Sequence, residues 1–147
     1  MRTRNFILFA LFLIVIGSCS PSSFQDVNVI PQPYRLNIIP QGDFEFEPGT
    51  RIITEMEKED VVAVCEYFND YMERAAGYRL EIVDDEEVKG FSGDVVVTTY
   101  NADTTWSEEA YKLEVAGGSS VVMQANSSIG LFYAVQTLLQ LLPPEIM

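Results

Sequence analysis

Two segments of the chain carry apolar residues at helical spacing. In residues 57–76 the apolar side chains fall on one face and the acidic side chains on the other, and Gly77 follows where helices often end. The second segment, residues 127–142, is apolar on nearly every side; Asn126 or Ser127 can cap its start, and two prolines stop it. The pattern predicts two helices, of which only the first is clearly amphipathic.

Short alternating or β-branched runs predict the strands. The expected strands are residues 34–39, 44–46, 51–54, 80–83, 94–99, 110–115 and 120–125. The run 94–99 is almost entirely β-branched, which suits a strand buried on both faces, and Gly117 and Gly118 join the last two strands as a hairpin. A helix between strands followed by a hairpin indicates an α+β fold with a mixed, partly antiparallel sheet and two helices.

The N-terminal residues have the pattern of an export signal. Arg2 and Arg4 precede an apolar run at residues 6–16, which is too short to span a bilayer. Small residues then lead to Cys19, and this pattern resembles the bacterial lipobox, which implies cleavage before Cys19 and its lipidation. We therefore expect a lipoprotein signal peptide at residues 1–18 and a flexible tether at residues 19–26. The alternative is a conventional cleavage site with a chance cysteine.

The residue after the cysteine bears on localisation. Ser20 is not the aspartate associated with inner-membrane retention, so we expect an exported protein anchored by lipid in the outer membrane. Whether it would face the periplasm or the cell surface stays open. The formal net charge of −13 argues against nucleic acid as a partner, because phosphates would be repelled.

Candidate chemistry is sparse. The chain has no histidine, which excludes imidazole acid–base catalysis and histidine metal ligands. Cys65 lies on the apolar side of the first predicted helix and is expected to be a buried, unreactive thiol. Three pairs of adjacent carboxylates lie in predicted solvated loops, where nothing would separate their pKa values for catalysis. These pairs are Asp84-Asp85, Glu86-Glu87 and Glu108-Glu109. We expect no catalytic residue, cofactor or metal site in this chain.

Three motifs occur in a fixed order: NVIPQP at residues 28–33, EAYKLEV at 109–115 and GLFYAVQTLLQLLP at 130–143. Together they resemble the N-terminal domain of family 20 glycoside hydrolases, the β-N-acetylhexosaminidases, over residues 27–144. The resemblance implies a zincin-like α+β fold without a metal, packed against a (β/α)8 barrel. The related N-terminal domains of α-glucuronidases and O-GlcNAc hydrolases are the runner-up, and Gln136-Thr137-Leu138 favours family 20.

The resemblance also implies what the parent enzyme does. Family 20 enzymes remove terminal N-acetylhexosamine residues, and their acid pair comes from a His-x-Gly-Gly-Asp-Glu segment of the barrel. No such segment occurs in this sequence. We therefore expect residues 27–144 to be the non-catalytic N-terminal domain of an exported enzyme of glycan catabolism, inactive without the missing barrel. The alternative is a free-standing lipoprotein that binds a glycan or a protein, or acts as a scaffold.

The final predicted helix suggests where that barrel would bind. A helix that is apolar all round needs burial on every side, whereas one small sheet covers a single face. We expect its second face to dock on the barrel through Phe132, Tyr133, Gln136, Leu138, Leu139 and Leu142. The alternative is that these positions enrich the core of the domain itself.

Overall fold

A computed structural model describes residues 27–38, 42–85, 92–117 and 119–143. The strands are β1 Arg51–Thr54, β2 Glu81–Asp84, β3 Asp94–Thr98, β4 Tyr111–Ala116 and β5 Ser120–Ala125. The helices are α1 Glu59–Ala76, between β1 and β2, and α2 Ser128–Leu141, after β5. The predicted signal peptide, the tether and Cys19 lie outside the described residues.

The five strands form one mixed sheet in the order β2-β1-β3-β5-β4. Strands β2, β1, β3 and β5 are parallel, and β4 pairs antiparallel with β5 at the edge. Parallel neighbours require a crossover, which α1 provides between β1 and β2. The predicted α+β class, mixed sheet and final hairpin are therefore confirmed. The β-branched strand β3 is buried along its whole length, as predicted.

Two predicted strands do not form. Residues 34–38 and 44–46 have no regular secondary structure, and the other end of the first prediction lies outside the described residues. Tyr34 is fully exposed, and Leu36 and Ile38 are about half exposed. A segment of alternating apolar and polar residues forms a strand only if a neighbouring strand supplies hydrogen-bond partners. The five-stranded sheet supplies none to these residues. Phe44 and Phe46 instead pack against the edge of the core.

Both helices contact each other and pack on one face of the sheet. The apolar face predicted for α1 is confirmed: Val61, Val64, Cys65, Phe68 and Met72 are buried. Burial raises the pKa of the Cys65 thiol to about 12, and the carboxylates of Glu66 and Glu55 act in the same direction. Cys65 is therefore protonated, inaccessible and unreactive in the folded domain.

One polar residue of α1 lies inside the core. The Asn69 side chain donates from Nδ2 to the carbonyl of Leu80 at 2.9 Å, and its Oδ1 accepts from the amide of Leu80 at 2.8 Å. Because both halves of the amide are paired, Asn69 can be buried without an unsatisfied group. Gly77 ends the helix in the left-handed conformation, as predicted, and its N–H bonds the carbonyl of Glu73.

A buried carboxylate links the ends of β1 and β3. Oε1 of Glu55 accepts hydrogen bonds from Lys58 Nζ at 3.1 Å and from the amide and hydroxyl of Thr99 at 3.1 and 3.0 Å. Burial by itself raises the pKa of Glu55, but the hydrogen bonds from Lys58, Thr98 and Thr99 outweigh it. The pKa of this carboxyl group therefore lies below its usual value, and the ionised form supports the fold.

Candidate docking surface

Helix α2 is fixed at its start by polar side chains. The hydroxyl of Ser127, the N-cap residue, accepts from the amide of Gly130 at 3.4 Å and donates to the carbonyl of Glu108 at 2.7 Å. Asn126, the other predicted cap, instead donates to the carbonyls of Asp103 at 2.7 Å and Trp106 at 2.9 Å. Both residues therefore tie the first turn of α2 to the loop before β4.

A glycine lets this first turn approach the sheet closely. A Cβ atom at Gly130 would lie 2.6 Å from the carbonyl oxygen of Ala110 and 2.7 Å from Cβ of Ala125. Both contacts are shorter than real Cβ contacts, and a backbone oxygen cannot move aside cheaply. The glycine of the third motif is thus required by packing of α2 on β4 and β5.

The inner side of α2 belongs to the core of the domain. Leu131, Ala134 and Val135 are fully buried there. The hydroxyl groups of Tyr111 in β4 and Thr137 in α2 lie 2.5 Å apart and form a hydrogen bond. This bond joins the second sequence motif to the third and holds the Thr137 side of α2 against the sheet.

The outer side of α2 carries exposed apolar residues that meet one residue of α1. The rings of Tyr67 and Phe132 lie 5.2 Å apart, and those of Phe132 and Tyr133 lie 6.0 Å apart. Gln136 donates from Nε2 to the hydroxyl oxygen of Tyr67 at 2.8 Å, and Ile129 lies one turn before Phe132 and Tyr133. We call Tyr67, Ile129, Phe132, Tyr133 and Gln136 the aromatic surface. Its four apolar side chains are between 37% and 47% exposed.

The N-terminal segment is held at the other end of α2. Gln140 accepts from the amide of Ile30 at 2.9 Å and donates to the carbonyl of Ile30 at 3.0 Å. Val29, the preceding residue, is buried, whereas the side chain of Ile30 is 81% exposed. The first motif is thereby fastened to the third, with an isoleucine projecting into solvent beside α2.

The six residues predicted for docking separate into two groups. Leu138, Leu139 and Leu142 are only 2% to 9% exposed and belong to the core, so they have no surface to offer a partner. Phe132, Tyr133 and Gln136 lie on the outer side. The alternative that these positions belong to the core of the domain therefore applies to the three leucines. The docking hypothesis rests on the other three residues. Docking itself stays a prediction.

Sequence reasoning missed part of the outer surface. Tyr67 lies on the face of α1 that was assigned to acidic residues, and its ring completes the aromatic surface. The sequence did contain a signal for Tyr67, because it is a single large aromatic residue on the face that carries Asp60, Glu66 and Asp70. The contact between Ile30 and Gln140 had no such signal, because the two residues are 110 positions apart.

Two kinds of feature are absent from the described part of the chain. Within it, no helix is long and apolar enough to cross a membrane. The same residues include no group of three or more His, Cys, Asp or Glu side chains that could hold a metal ion. Glu108 and Glu109 are exposed, and Asp84 accepts a hydrogen bond from the amide of Met56 at 3.0 Å.

The family of the chain follows from its sequence and fold. The family model of glycosyl hydrolase family 20, domain 2, matches residues 26–146. The chain belongs to this family. A β-hexosaminidase of Porphyromonas gingivalis is 29% identical to this domain 2 over 126 residues, which cover 86% of the chain and 15% of the relative.

Solved structures of family 20 enzymes contain the same fold. The β-N-acetylhexosaminidase of Streptomyces coelicolor A3(2) matches with a TM-score of 0.65 and 29% identity, over 80% of this chain and 22% of that enzyme. The N-acetyl-β-hexosaminidase of Streptomyces plicatus matches with a TM-score of 0.55 and 29% identity, over 71% of this chain and 19% of that enzyme. This domain 2 thus spans between 15% and 22% of the length of these relatives.

Proposed function

We propose that this domain 2 is the non-catalytic part of an exported β-N-acetylhexosaminidase and that its aromatic surface docks on the catalytic (β/α)8 barrel. The observation that carries the proposal is the exposed, prearranged set of aromatic side chains on α1 and α2. The matched relatives are several times longer than this chain, which leaves room in them for a barrel.

Contacts within the domain hold the exposed aromatic side chains in place. Tyr67 and Phe132 are held by their ring contact and by the hydrogen bond from Gln136 to Tyr67, so their positions are fixed before a partner arrives. Aromatic residues are enriched at the centres of protein interfaces, where they bury large areas with little loss of side-chain freedom. A prearranged aromatic surface therefore favours a permanent protein contact.

The activity would belong to the barrel. Hydrolysis of terminal N-acetylhexosamine residues requires an acid pair, which the resemblance assigns to the barrel. The export pattern at residues 1–18 and the lipidation site at Cys19 would place the enzyme at the outer membrane, where it would serve glycan catabolism. Residues 1–147 contain no segment that matches this acid pair, so this part by itself is expected to release no aryl alcohol from an aryl N-acetylglucosaminide.

A domain exchange tests the docking. Residues 27–143 replace the corresponding domain of the Porphyromonas gingivalis β-hexosaminidase, and activity and Tm are measured with Phe132 and Tyr133 intact or both replaced by Asp. We expect the double replacement to lower the Tm and the activity of the chimera. Val115→Asp changes an apolar residue of similar exposure in β4, outside the aromatic surface, and serves as the control.

Equal losses in the control and the double variant would contradict docking through this surface. The alternative of a free-standing binding module makes a different prediction for the full chain. It requires that the protein is monodisperse and binds a glycan or a protein partner. Replacement of Phe132 and Tyr133 should then abolish this binding, and the protein should remain monodisperse.

A further inference from the structure

The side chain of Ile30 is exposed although its backbone is held in place. Both its amide and its carbonyl are bonded to the side chain of Gln140, and the preceding residue, Val29, is buried. The side chain of Ile30 nevertheless has 81% of its surface in contact with solvent. Ile30 is therefore an apolar side chain whose backbone is positioned before any partner arrives.

A line of hydrogen bonds connects Ile30 to the aromatic surface. Gln140 donates from Nε2 to the backbone carbonyl of Gln136 at 3.3 Å, in addition to the carbonyl of Ile30. Gln136 in turn donates to the hydroxyl oxygen of Tyr67 at 2.8 Å. Because residues four apart lie on the same side of a helix, the two glutamines bring Ile30 and the aromatic rings to one side of α2. Ile30 is thus part of a larger apolar face and not an isolated exposed residue.

Ile30 lengthens the face that a partner could cover. Along α2 the aromatic surface extends from Ile129 to Gln136, which is about 10 Å at a rise of about 1.5 Å per residue. Extension to Gln140, which holds Ile30, gives about 17 Å. An interface between domains of one chain buries several hundred Å² on each side, and the longer face suits this area better.

The face carries no charge on α2, and the amide beside Ile30 is already paired. Helix α2 contains no charged residue, although the chain has a formal net charge of −13. The amide of Gln140 is bonded through both its oxygen and its nitrogen. A partner can cover such an amide without leaving an unsatisfied polar group. These properties fit an apolar partner surface.

Two observations favour the barrel of the same enzyme over a second copy of this chain. Two copies would each bring a net charge of −13 and would repel each other. The matched relatives are several times longer than this chain, and a further domain of the same polypeptide would meet the face at a high effective concentration.

We propose that Ile30 is an anchor that packs into an apolar part of the catalytic barrel, and that Gln140 is the positioning residue that presents it. The docking face then runs from Ile129 along α2 to the N-terminal segment. This inference rests on the proposed function, because it adds a second anchor to the contact of the aromatic surface. It also gives the first sequence motif a role in assembly of the enzyme.

Photo-crosslinking in the Porphyromonas gingivalis chimera tests the contact. The photoreactive residue p-benzoylphenylalanine replaces Ile30, Phe132 or Ile38, one position at a time, and mass spectrometry maps the crosslinked peptides. We expect Ile30→p-benzoylphenylalanine and Phe132→p-benzoylphenylalanine to crosslink to peptides of the barrel. Ile38 is a half-exposed isoleucine of the same N-terminal segment and serves as the matched control, which should give no such crosslink.

The pattern of crosslinks separates this inference from the proposed function. Barrel crosslinks from position 132 without any from position 30 would overturn the anchor and leave docking by the aromatic surface intact. The absence of barrel crosslinks from both positions would overturn both. Equal yields from positions 30 and 38 would also refute a specific anchor. In a mixture of isotopically labelled and unlabelled chimera, crosslinks from position 30 found only between molecules would assign Ile30 to a second copy.

Gln140→Ala tests the positioning role. Without the two hydrogen bonds to Ile30, the yield of barrel crosslinks from position 30 should fall by about threefold or more, whereas the yield from position 132 should be unchanged. An equal loss at both positions would show that Gln140 supports α2 as a whole and would refute its positioning of Ile30.

Ile30→Asp tests the anchor without a bulky probe. We expect it to lower the Tm of the chimera by about 2 °C or more, and to lower that of residues 1–147 alone by less, because Ile30 is exposed when no barrel is present. Equal shifts in the two proteins would contradict burial of Ile30 by the barrel.

Discussion

The side chain of Gln140 and the backbone of Ile30 exchange two hydrogen bonds, at 2.9 and 3.0 Å. The pair fastens the N-terminal segment to the last turn of α2, across 110 positions of sequence. Asn69 makes the same reciprocal pair with the backbone of Leu80, at 2.9 and 2.8 Å, but inside the core. The two amides form a matched pair of contacts that differ mainly in burial.

Replacing each amide by alanine should show that difference. We expect Asn69→Ala to lower the free energy of unfolding by about 2 to 3 kcal/mol, because it leaves buried backbone groups of Leu80 unpaired. Gln140→Ala should cost about 1 kcal/mol or less, since water can replace the lost partner of Ile30. Urea denaturation measures both values, and amide hydrogen exchange at Ile30 should accelerate only in Gln140→Ala. Equal costs would contradict this account.

The packing of α2 predicts the sign of a glycine substitution. An alanine in a helix is usually favoured over glycine by about 1 kcal/mol. At Gly130 the added Cβ would meet the backbone of Ala110 at 2.6 Å, so we expect Gly130→Ala to be destabilising by about 1 to 3 kcal/mol. Gly49→Ala, where nothing lies within 4 Å, is the control and should be nearly neutral. Thermal denaturation measures the stability of both variants. A Gly130→Ala variant that is more stable than the unmodified chain would show that α2 does not pack this closely against the backbone of Ala110.

The lowered pKa of Glu55 predicts a pH-dependent contribution to stability. A carboxyl group with a depressed folded pKa stabilises the fold above its unfolded pKa of about 4.3, and this contribution is lost as the pH falls through the folded value. Glu55→Gln should therefore cost about 1 to 3 kcal/mol at pH 7, and the difference from the unmodified chain should shrink below about pH 4.3.

Urea denaturation between pH 3 and pH 7 measures this difference. Glu57→Gln, which changes an exposed carboxylate two residues away, is the matched control and should have little effect throughout the range. A cost for Glu55→Gln that stays constant with pH would show that ionised Glu55 does not support the fold.

Burial of Cys65 predicts a thiol that reports unfolding. With a pKa of about 12, only about one thiol in ten thousand is ionised at pH 8, and the sulfur is inaccessible. In a Cys19→Ser variant, which leaves Cys65 as the only cysteine, reaction with an aromatic disulfide reagent should therefore proceed only through opening of the domain. The rate should rise with urea in parallel with unfolding. Rapid reaction in the absence of denaturant would disprove the burial.

The sequence predicted elements whose stabilising contacts are local. Helix α1 and helix α2 appear within two residues of their expected bounds, because periodicity, caps and the proline stop act within a few residues. The hairpin of β4 and β5 was also predictable, since a glycine turn brings two adjacent runs together. The three ordered motifs identified the family, which the family model confirms.

The tertiary structure decided what depends on distant partners. Alternation in residues 34–38 could not show that no strand would pair with them, and the polar type of Asn69 gave no sign of the backbone that it bonds in the core. When a helix is apolar on every side, its sequence pattern does not indicate which face is buried. Packing of α2 on the sheet, where Thr137 contacts Tyr111, places Leu138 and Leu139 inward and leaves Phe132 and Tyr133 outward, because only the packed sheet determines which side of the helix is covered.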